Sequence, residues 1–559
     1  MSDSKPDFVP KQGMVYLAET DFRGAKTRFG IKNADRSRHV YVIGKTGMGK
    51  STMLENMAIQ DIINGEGVGF IDPHGGTAEK LLDYVPKKRL KDVIYFAPYD
   101  LDNPVSFNVM EDVGKDQRHL VANGLMASFK KIWPDVWSAR MEYILNNTIL
   151  ALLEYPNSTL LGVNRMLSDK TYRTEVVNNL SDPSVKSFWV DEFAKYNERY
   201  MQEAGDAIKN KIGQFTSNPL IRNIIGQPVS SFNIRDVMDN KKILIMNLSK
   251  GRVGEQNAFL LGGMLVTKIY LAAMSRANMS EEERAVVPPF FFFVDEFQSF
   301  VNDSFADILA EARKYKLNLT IAHQYIDQMP ETVQSAVFGN VGTTIAFRVG
   351  PFDAEKLEKI FTPKFTEEDL VNLGFAQVYL TLMIDGVGSP PFSAVTLAPL
   401  PLPGPSLKNE LIVESRSRYA HTRENVERAI NEWHATTLSN IKKSDKEEEK
   451  EKERREEQKQ KRAELVREAV HDRSQSVSLE ALVANHRGET VKNTPQAKED
   501  LKSFLQNIIG STPKRVQPKN EEVPTTNPEK SLRDLGASKP NEISEAELKG
   551  MLEVPRKKE

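Results

Sequence analysis

Nine residues, Gly44-Lys45-Thr46-Gly47-Met48-Gly49-Lys50-Ser51-Thr52, constrain this chain more than any other stretch. They fit G-x-x-x-x-G-K-[ST], and their flanks supply the context that the motif demands. Val40-Tyr41-Val42-Ile43, just before, is a β-branched and aromatic run that predicts a buried strand. Thr52 to Ile63, just after, carries apolar residues at helical spacing. In such a strand–loop–helix the glycines let backbone N–H groups face phosphate oxygens, and the helix N-terminus adds the positive end of its dipole. Lys50 is then expected to reach the β- and γ-phosphates, and the Ser51 hydroxyl to hold Mg²⁺. The stretch predicts binding of a nucleoside triphosphate with Mg²⁺.

The 559 residues suffice for two or three domains and a large core. A formal net charge of −2 gives no global basic excess, so any surface for nucleic acid must be local. With no cysteine in the chain, disulfides, thiolate zinc sites and cysteine nucleophiles are excluded. The histidines show no paired ligand spacing, which leaves the nucleotide's Mg²⁺ as the expected metal. Met1 to Gln12 is polar, and the apolar stretches Leu260 to Met274 and Phe290 to Val294 are too short or interrupted to span a bilayer. The expectation is a chain with no transmembrane segment, cytoplasmic or at most peripheral at the inner face of the cell membrane.

Along the chain, residues 14–34 alternate as a β-hairpin. Gly67 to Ile71 and Asp92 to Phe96 predict two further strands, the first closed by Asp72-Pro73-His74-Gly75-Gly76. From about Lys115 to Asn218 only helical periodicity is present, as in Leu120 to Lys131, Arg140 to Leu153 and Asp206 to Phe215. Trp133, Trp137 and Trp189 are expected to fill the core of that helical region. Strand and helix alternation resumes with Lys242 to Leu248 and the helix Asn257 to Ser275. The expected fold class is α/β: a P-loop core on a parallel-rich sheet, interrupted by an all-α domain and followed by a charged, largely disordered tail. The predicted boundaries are 1–13 for an N-terminal tail, 14–114 and 227–405 for the two parts of the core, 115–226 for the insertion and 406–559 for the tail.

Phe290-Phe291-Phe292-Phe293-Val294 delivers Asp295-Glu296 at a strand's carboxyl end, the Walker B pattern. Asp295 is expected to hold the hydrated Mg²⁺ and Glu296 to act as general base on the attacking water. Leu317 to Ala322 predicts another buried strand, and Gln324 at its tip is placed to sense the γ-phosphate and orient water. Between these strands, Ile308 to Tyr315 ends a helix that carries Arg313, a candidate finger for a neighbouring subunit's nucleotide. Thr343 to Val349 and Gln377 to Met383 extend the sheet, and Pro399 to Pro405 closes the core. Beyond Leu407 the composition changes: Asp445 to Arg467 reads as a solvated helix, and 471–559 as largely disordered.

Taken together, these residues resemble the coupling-protein ATPases of type IV secretion, the VirD4, TraD and TrwB group within the FtsK–HerA motors. Four features carry the resemblance: the phosphate loop Gly44 to Thr52, Phe70-Ile71-Asp72-Pro73-His74-Gly75, the all-helical interruption, and Phe293 to Glu296 followed by Arg313 and His323-Gln324. It spans about residues 14 to 400. The resemblance implies a RecA-like core, a homo-hexameric ring, and ATP hydrolysis coupled to sequence-independent DNA translocation. It also implies a relaxase and channel proteins as partners, Arg313 as a finger in trans and Gln324 as sensor. Many family members begin with transmembrane helices, which are not expected here, so a cytosolic HerA-like motor for repair, segregation or packaging is an alternative. A nucleotide-gated recruitment adaptor is another. Lys130, Lys131, Arg140, Lys209, Lys211 and Arg222, in and around the helical region, are available for phosphate contacts, with ordinary surface charge as the competing reading.

Overall fold

Sequence runs apolar on both faces belong in the middle of a sheet covered twice, and that is where they lie. The structure, a computed structural model, describes residues 10–21, 24, 26–301, 305–435, 454 and 461. The chain divides into two units, Met1–Glu457 and Gln458–Glu559, and every feature below belongs to the first. Its strands are β1 Met14–Thr20, β2 Arg28–Lys32, β3 Val40–Ile43, β4 Gly67–Asp72, β5 Val93–Phe96, β6 Ile243–Asn247, β7 Phe290–Val294, β8 Leu317–His323, β9 Thr343–Ala346 and β10 Gln377–Thr381, then the two-residue pair β11 Met383–Ile384 and β12 Val387–Gly388, and β13 Phe392–Thr396.

Eleven of them form one sheet in the order β2-β1-β13-β10-β9-β3-β8-β7-β4-β6-β5. From β9 to β5 every neighbour is parallel, whereas β10, β13, β1 and β2 add an antiparallel wing. Strand β8 lies between β3 and β7, with Ile43 opposite His323 and Val294 opposite Ile321. That order, with the expected phosphate loop at one strand tip, is a RecA-like P-loop architecture.

Alternate side chains divide between two cores. Val40, Val42, Phe70, Phe291 and Phe293 pack with Met53, Leu54, Met57, Ala58 and Ile62 of the helix Lys50–Asn64 on one face. Tyr41, Ile43, Phe290, Phe292 and Val294 face the opposite core, which is continuous with the helical region. Burying one such phenylalanine side chain contributes about 1.5–3 kcal/mol, so replacing any of the four in β7 by a polar residue is expected to be strongly destabilising. Phe70 and Phe293 stack across β4 and β7 with ring centroids 5.8 Å apart.

Between β5 and β6 the described residues contain helices and no strand. The principal helices are Arg118–Ile132, Ala139–Glu154, Leu161–Ser168, Lys170–Asn179, Glu198–Ser217 and Pro219–Ile225. Polar N-caps set their starts, with Ser138 accepting from the Met141 N–H and Asp169 from the Tyr172 N–H. Trp189 is buried at 3% exposure, and Trp133 and Trp137 pack around Phe129. Among the described residues one helix, Glu255–Asn278, is long and apolar enough to cross a membrane; 61% of its apolar window is buried in the fold.

Two differences from the sequence expectation stand out. β13 was not anticipated, because its five residues carry no long apolar run. The chain beyond Leu407 also remains folded further than its composition suggests. The helix Lys408–Tyr419 buries Leu411, and Ser415 Oγ accepts the N–H of Tyr95, so it covers the sheet edge at β5. Residues 423–435 form a second helix that seats Val426, Ile430 and Trp433 beside Leu161. Sparse apolar anchors in a charged sequence suffice to hold both. The rest of the expected tail lies outside the described residues, with 454 and 461 the only exceptions.

Candidate functional site

The site is built at the carboxyl ends of β3, β8 and β7, which the strand order sets side by side. After β3 the chain turns through Gly44 to Gly49 into the helix beginning at Lys50. Gly49 has φ +116°, and a Cβ there would sit 3.2 Å from the Phe347 ring, so a larger residue is excluded on both counts. The turn is fastened from the segment after β9 and from the end of β8: the Lys45 N–H donates to the Arg348 carbonyl at 2.8 Å, and the Gly44 N–H to the His323 carbonyl at 3.3 Å. This leaves Thr46 and Gly47 exposed and Lys45, Met48 and Gly49 half-buried.

Lys50 is 5% exposed and its Nζ donates to the Lys45 carbonyl at 3.1 Å. Burial lowers its ammonium pKa, and the Glu296 and Asp295 carboxylates oppose that shift. An ammonium has three donors, and one bond to a carbonyl leaves this cation with capacity for an anion. Ser51 Oγ donates to Asp295 Oδ2 at 2.7 Å. Asp295 is 2% exposed; burial raises its carboxyl, the Ser51 bond works against that, and Asp72 and Glu296 add to it.

Glu296 follows with φ +47°, a left-handed conformation in a residue that has a Cβ. That turn aims its carboxylate sideways between two amides. Gln324 Nε2 donates to Oε1 at 2.5 Å and Gln298 Nε2 to Oε2 at 2.5 Å. Gln324 in turn accepts from Thr46 Oγ1 at 3.0 Å. The phosphate loop, the acidic strand end and the strand β8 tip are thus joined by one chain of hydrogen bonds, Thr46–Gln324–Glu296. His74 Nε2 stands 4.0 Å from Glu296. His323, next to Gln324, is fully buried against Tyr41, with Nδ1 and the hydroxyl 3.0 Å apart. Burial and then Lys50 push it down to about 3, so it is neutral at physiological pH.

The motif after β4 is a scaffold. Asp72 accepts the N–H groups of His74 at 2.8 Å and Ala78 at 2.9 Å, capping the helix Gly76–Leu81. A Cβ on Gly75, at φ +91°, would lie 2.6 Å from Asn247 Oδ1, so this turn admits only glycine.

Of the residues expected in the site, Gly44 to Thr52, Asp295, Glu296 and Gln324 come together. Arg313 does not. It is exposed in the turn Ala312–Tyr315 before β8, at the amino end of the strands, where its charge acts on His39. Gln298 was missed, although it stands two residues after Glu296. Lys131, one of the lysines available for phosphate contacts or ordinary surface charge, does neither and points inward: its Nζ donates to the Gln298 and Val301 carbonyls at 2.5 and 2.6 Å. Lys130 pairs with Glu142 at 2.7 Å and Lys209 with Asp206 at 2.7 Å.

The model of the family described as "Type IV secretory system Conjugative DNA transfer" matches residues 5–340. No curated protein matches the chain. Among solved structures it is similar to the bacterial conjugative coupling protein TrwBdeltaN70 in its unbound monoclinic form, at 14% identity and TM-score 0.48, over 67% of this chain and 89% of that one. TrwB in complex with ADP and Mg²⁺ matches at 14% identity and TM-score 0.48, over 70% and 91%. VirB4 of Thermoanaerobacter pseudethanolicus matches at 14% and 0.45, over 69% and 97%. With the family model covering more than half its length, the chain belongs to the type IV secretory family of conjugative DNA transfer.

Proposed function

We propose that this chain is an ATP-driven motor that moves DNA toward a conjugative type IV secretion channel. The observation that carries the reading is the Thr46–Gln324–Glu296 chain beside the Ser51–Asp295 bond, which gathers a phosphate cradle and a base within one site. The residues fit ATP with Mg²⁺. The Lys50 ammonium is held for phosphate oxygens, and Ser51 and Asp295 supply one hydroxyl and one carboxylate to an ion. When bound, that ion neutralises phosphate charge. Glu296 takes the proton of the attacking water, and Gln324 holds both the carboxylate and the loop in register with it. In a homo-hexameric ring, an exposed Arg313 that does not serve its own subunit's site is free to serve the neighbouring one.

DNA binding in this reading is sequence-independent, through phosphates, and therefore salt-sensitive. Hydrolysis by the full chain, with and without single- and double-stranded DNA across a salt series, tests it. The expected result is stimulation by DNA that fades as salt rises. Turnover indifferent to DNA at every salt concentration overturns the motor in favour of a nucleotide-gated adaptor.

A further inference from the structure

One lysine of the helical region reaches the loop that holds the general base. Lys131 is the penultimate residue of the helix Arg118–Ile132, and its Nζ is bonded to two carbonyls, Gln298 at 2.5 Å and Val301 at 2.6 Å. These carbonyls belong to the loop Phe297–Val301, which leaves the acidic strand end directly after Glu296. The loop is otherwise fixed by apolar packing, with Phe297, Phe300 and Val301 at 0, 2 and 1% exposure, and by Lys250, whose Nζ donates to Ser299 Oγ at 2.9 Å. Gln298 is the hinge between the two systems. Its carbonyl accepts from Lys131, while its side-chain Nε2 donates to Glu296 Oε2 at 2.5 Å.

Lys131 forms no ion pair among the described residues. Its charge is held by carbonyl dipoles in a partly buried place, and burial followed by the nearby Lys250 lowers its pKa to about 8. A buried cation carried without a carboxylate is costly, and a helix surface offers cheaper places for it. Beside it opens a cavity of about 980 Å³. Lys130, Tyr143 and Asn146 line it from the helices, and Val301 and Asp327 to Pro330 from the loops after β7 and β8. The helical region and both catalytic loops therefore share one wall, and Lys131 is the polar bond across it.

We propose that Lys131 is a positioning residue for hydrolysis: through the Gln298 backbone it sets the amide that orients the Glu296 carboxylate, so that the seating of the helical region controls turnover. The inference rests on Glu296 being the general base. Movement of the helix end by the length of a hydrogen bond releases Gln298 and with it one of the two amides on Glu296. Nothing in this path touches the phosphate loop, so turnover and nucleotide affinity separate.

The test measures kcat, KM for ATP and the affinity for a fluorescent ATP analogue in the full chain. It compares wild type, Lys131→Met, Lys131→Arg, Gln298→Ala, the Lys131→Met/Gln298→Ala double variant and Glu296→Gln. Lys131→Met is expected to lower kcat by on the order of tenfold, a part of what general-base catalysis supplies, with KM and analogue affinity unchanged. Lys131→Arg keeps two donors and a charge and is expected to recover most of that loss. The double variant is expected to turn over no more slowly than the slower single one, because both residues act on one carboxylate. Unchanged kcat in Lys131→Met while Glu296→Gln is inactive overturns the inference and leaves the site reading intact. So does a loss of kcat and nucleotide affinity together with a lowered melting temperature, which marks a structural lysine. An active Glu296→Gln overturns the site reading itself.

Discussion

Removing the charge of Asp61 should destabilise the chain by an amount that the structure lets one work out. Arg36, in the turn before β3, meets Asp61 of the helix Lys50–Asn64 through two bonds, Nη1–Oδ1 and Nη2–Oδ2, both 2.8 Å. The side chains are 1 and 0% exposed, and the guanidinium lies 3.9 Å over the Phe291 ring centroid. The pair pins the helix that begins in the phosphate loop to the centre of the sheet. Removing one partner of a buried pair costs about 3–5 kcal/mol, because the other charge stays buried and unanswered. A folded body of roughly 420 residues gains about 0.9 kcal/mol/K of entropy on unfolding, so each kcal/mol moves the melting temperature by about 1 °C. Asp61→Asn and Arg36→Met are each expected to melt about 3–5 °C below the wild type in scanning calorimetry of the full chain without nucleotide. Burial pushes the Asp61 carboxyl up even against the pull of Arg36, which says that desolvation is the larger effect. An Arg36→Met/Asp61→Leu double variant is therefore expected within about 1–2 °C of the wild type. Single variants that melt with the wild type, or a double variant that melts below both, refute this reasoning.

Three further outcomes follow from the same contacts. Gln324→Ala frees both Thr46 and Glu296, and is expected to lower kcat by on the order of a hundredfold while nucleotide affinity, measured by equilibrium titration, stays unchanged. Lys268 donates to the Glu111 carbonyl at 3.1 Å, and burial lowers its pKa to about 8 against the pull of Glu111 and Asp112. The unfolded chain then holds more protons on it between pH 8 and the ordinary lysine value, about 10.4, so its cost to stability is full below pH 8 and relieved as pH rises. Lys268→Met should gain most over the wild type in melting temperature at pH 7, with the gain shrinking toward pH 10. Deleting residues 406–559 uncovers the β5 edge and Leu161, against which Val426 and Ile430 pack, and is expected to lower the melting temperature and raise light scattering on standing. A truncated chain that melts and scatters like the full one rules out that packing role.

Much of this was legible in the residues, and what was not has physical reasons. Val40 to Ile43 and Phe290 to Val294 announce central strands because both their faces are buried, and the phosphate loop and Asp295-Glu296 sit where those strands end. Thr343 to Val349 is a shorter strand than its composition suggests, ending at Ala346, because Phe347 and Arg348 leave the sheet to pack on and bond the phosphate loop. Local pattern reports the strand and is silent on what its exit does. The same limit hid Gln298 and the partners of Lys131: nothing in a run of helix-surface lysines distinguishes the one that turns inward, since the carbonyls it meets lie far along the chain. Arg313 shows a different limit, because a residue's loop can be read from sequence but the subunit it serves cannot. The helices at 408–419 and 423–435 were obscured by charge, with Leu411, Val426, Ile430 and Trp433 too widely spaced to form a continuous stripe.

The central claim is that three neighbouring strand tips make one hydrolytic site, and a single-turnover measurement on Glu296→Gln tests it most directly. The variant, loaded with radiolabelled ATP and Mg²⁺ in the presence of DNA, is expected to bind nucleotide as the wild type does and to retain it as ATP. Lys50→Ala, run beside it, is expected to lose the nucleotide. ATP released as ADP and phosphate by Glu296→Gln at the wild-type rate would contradict the account, because the base would then lie elsewhere.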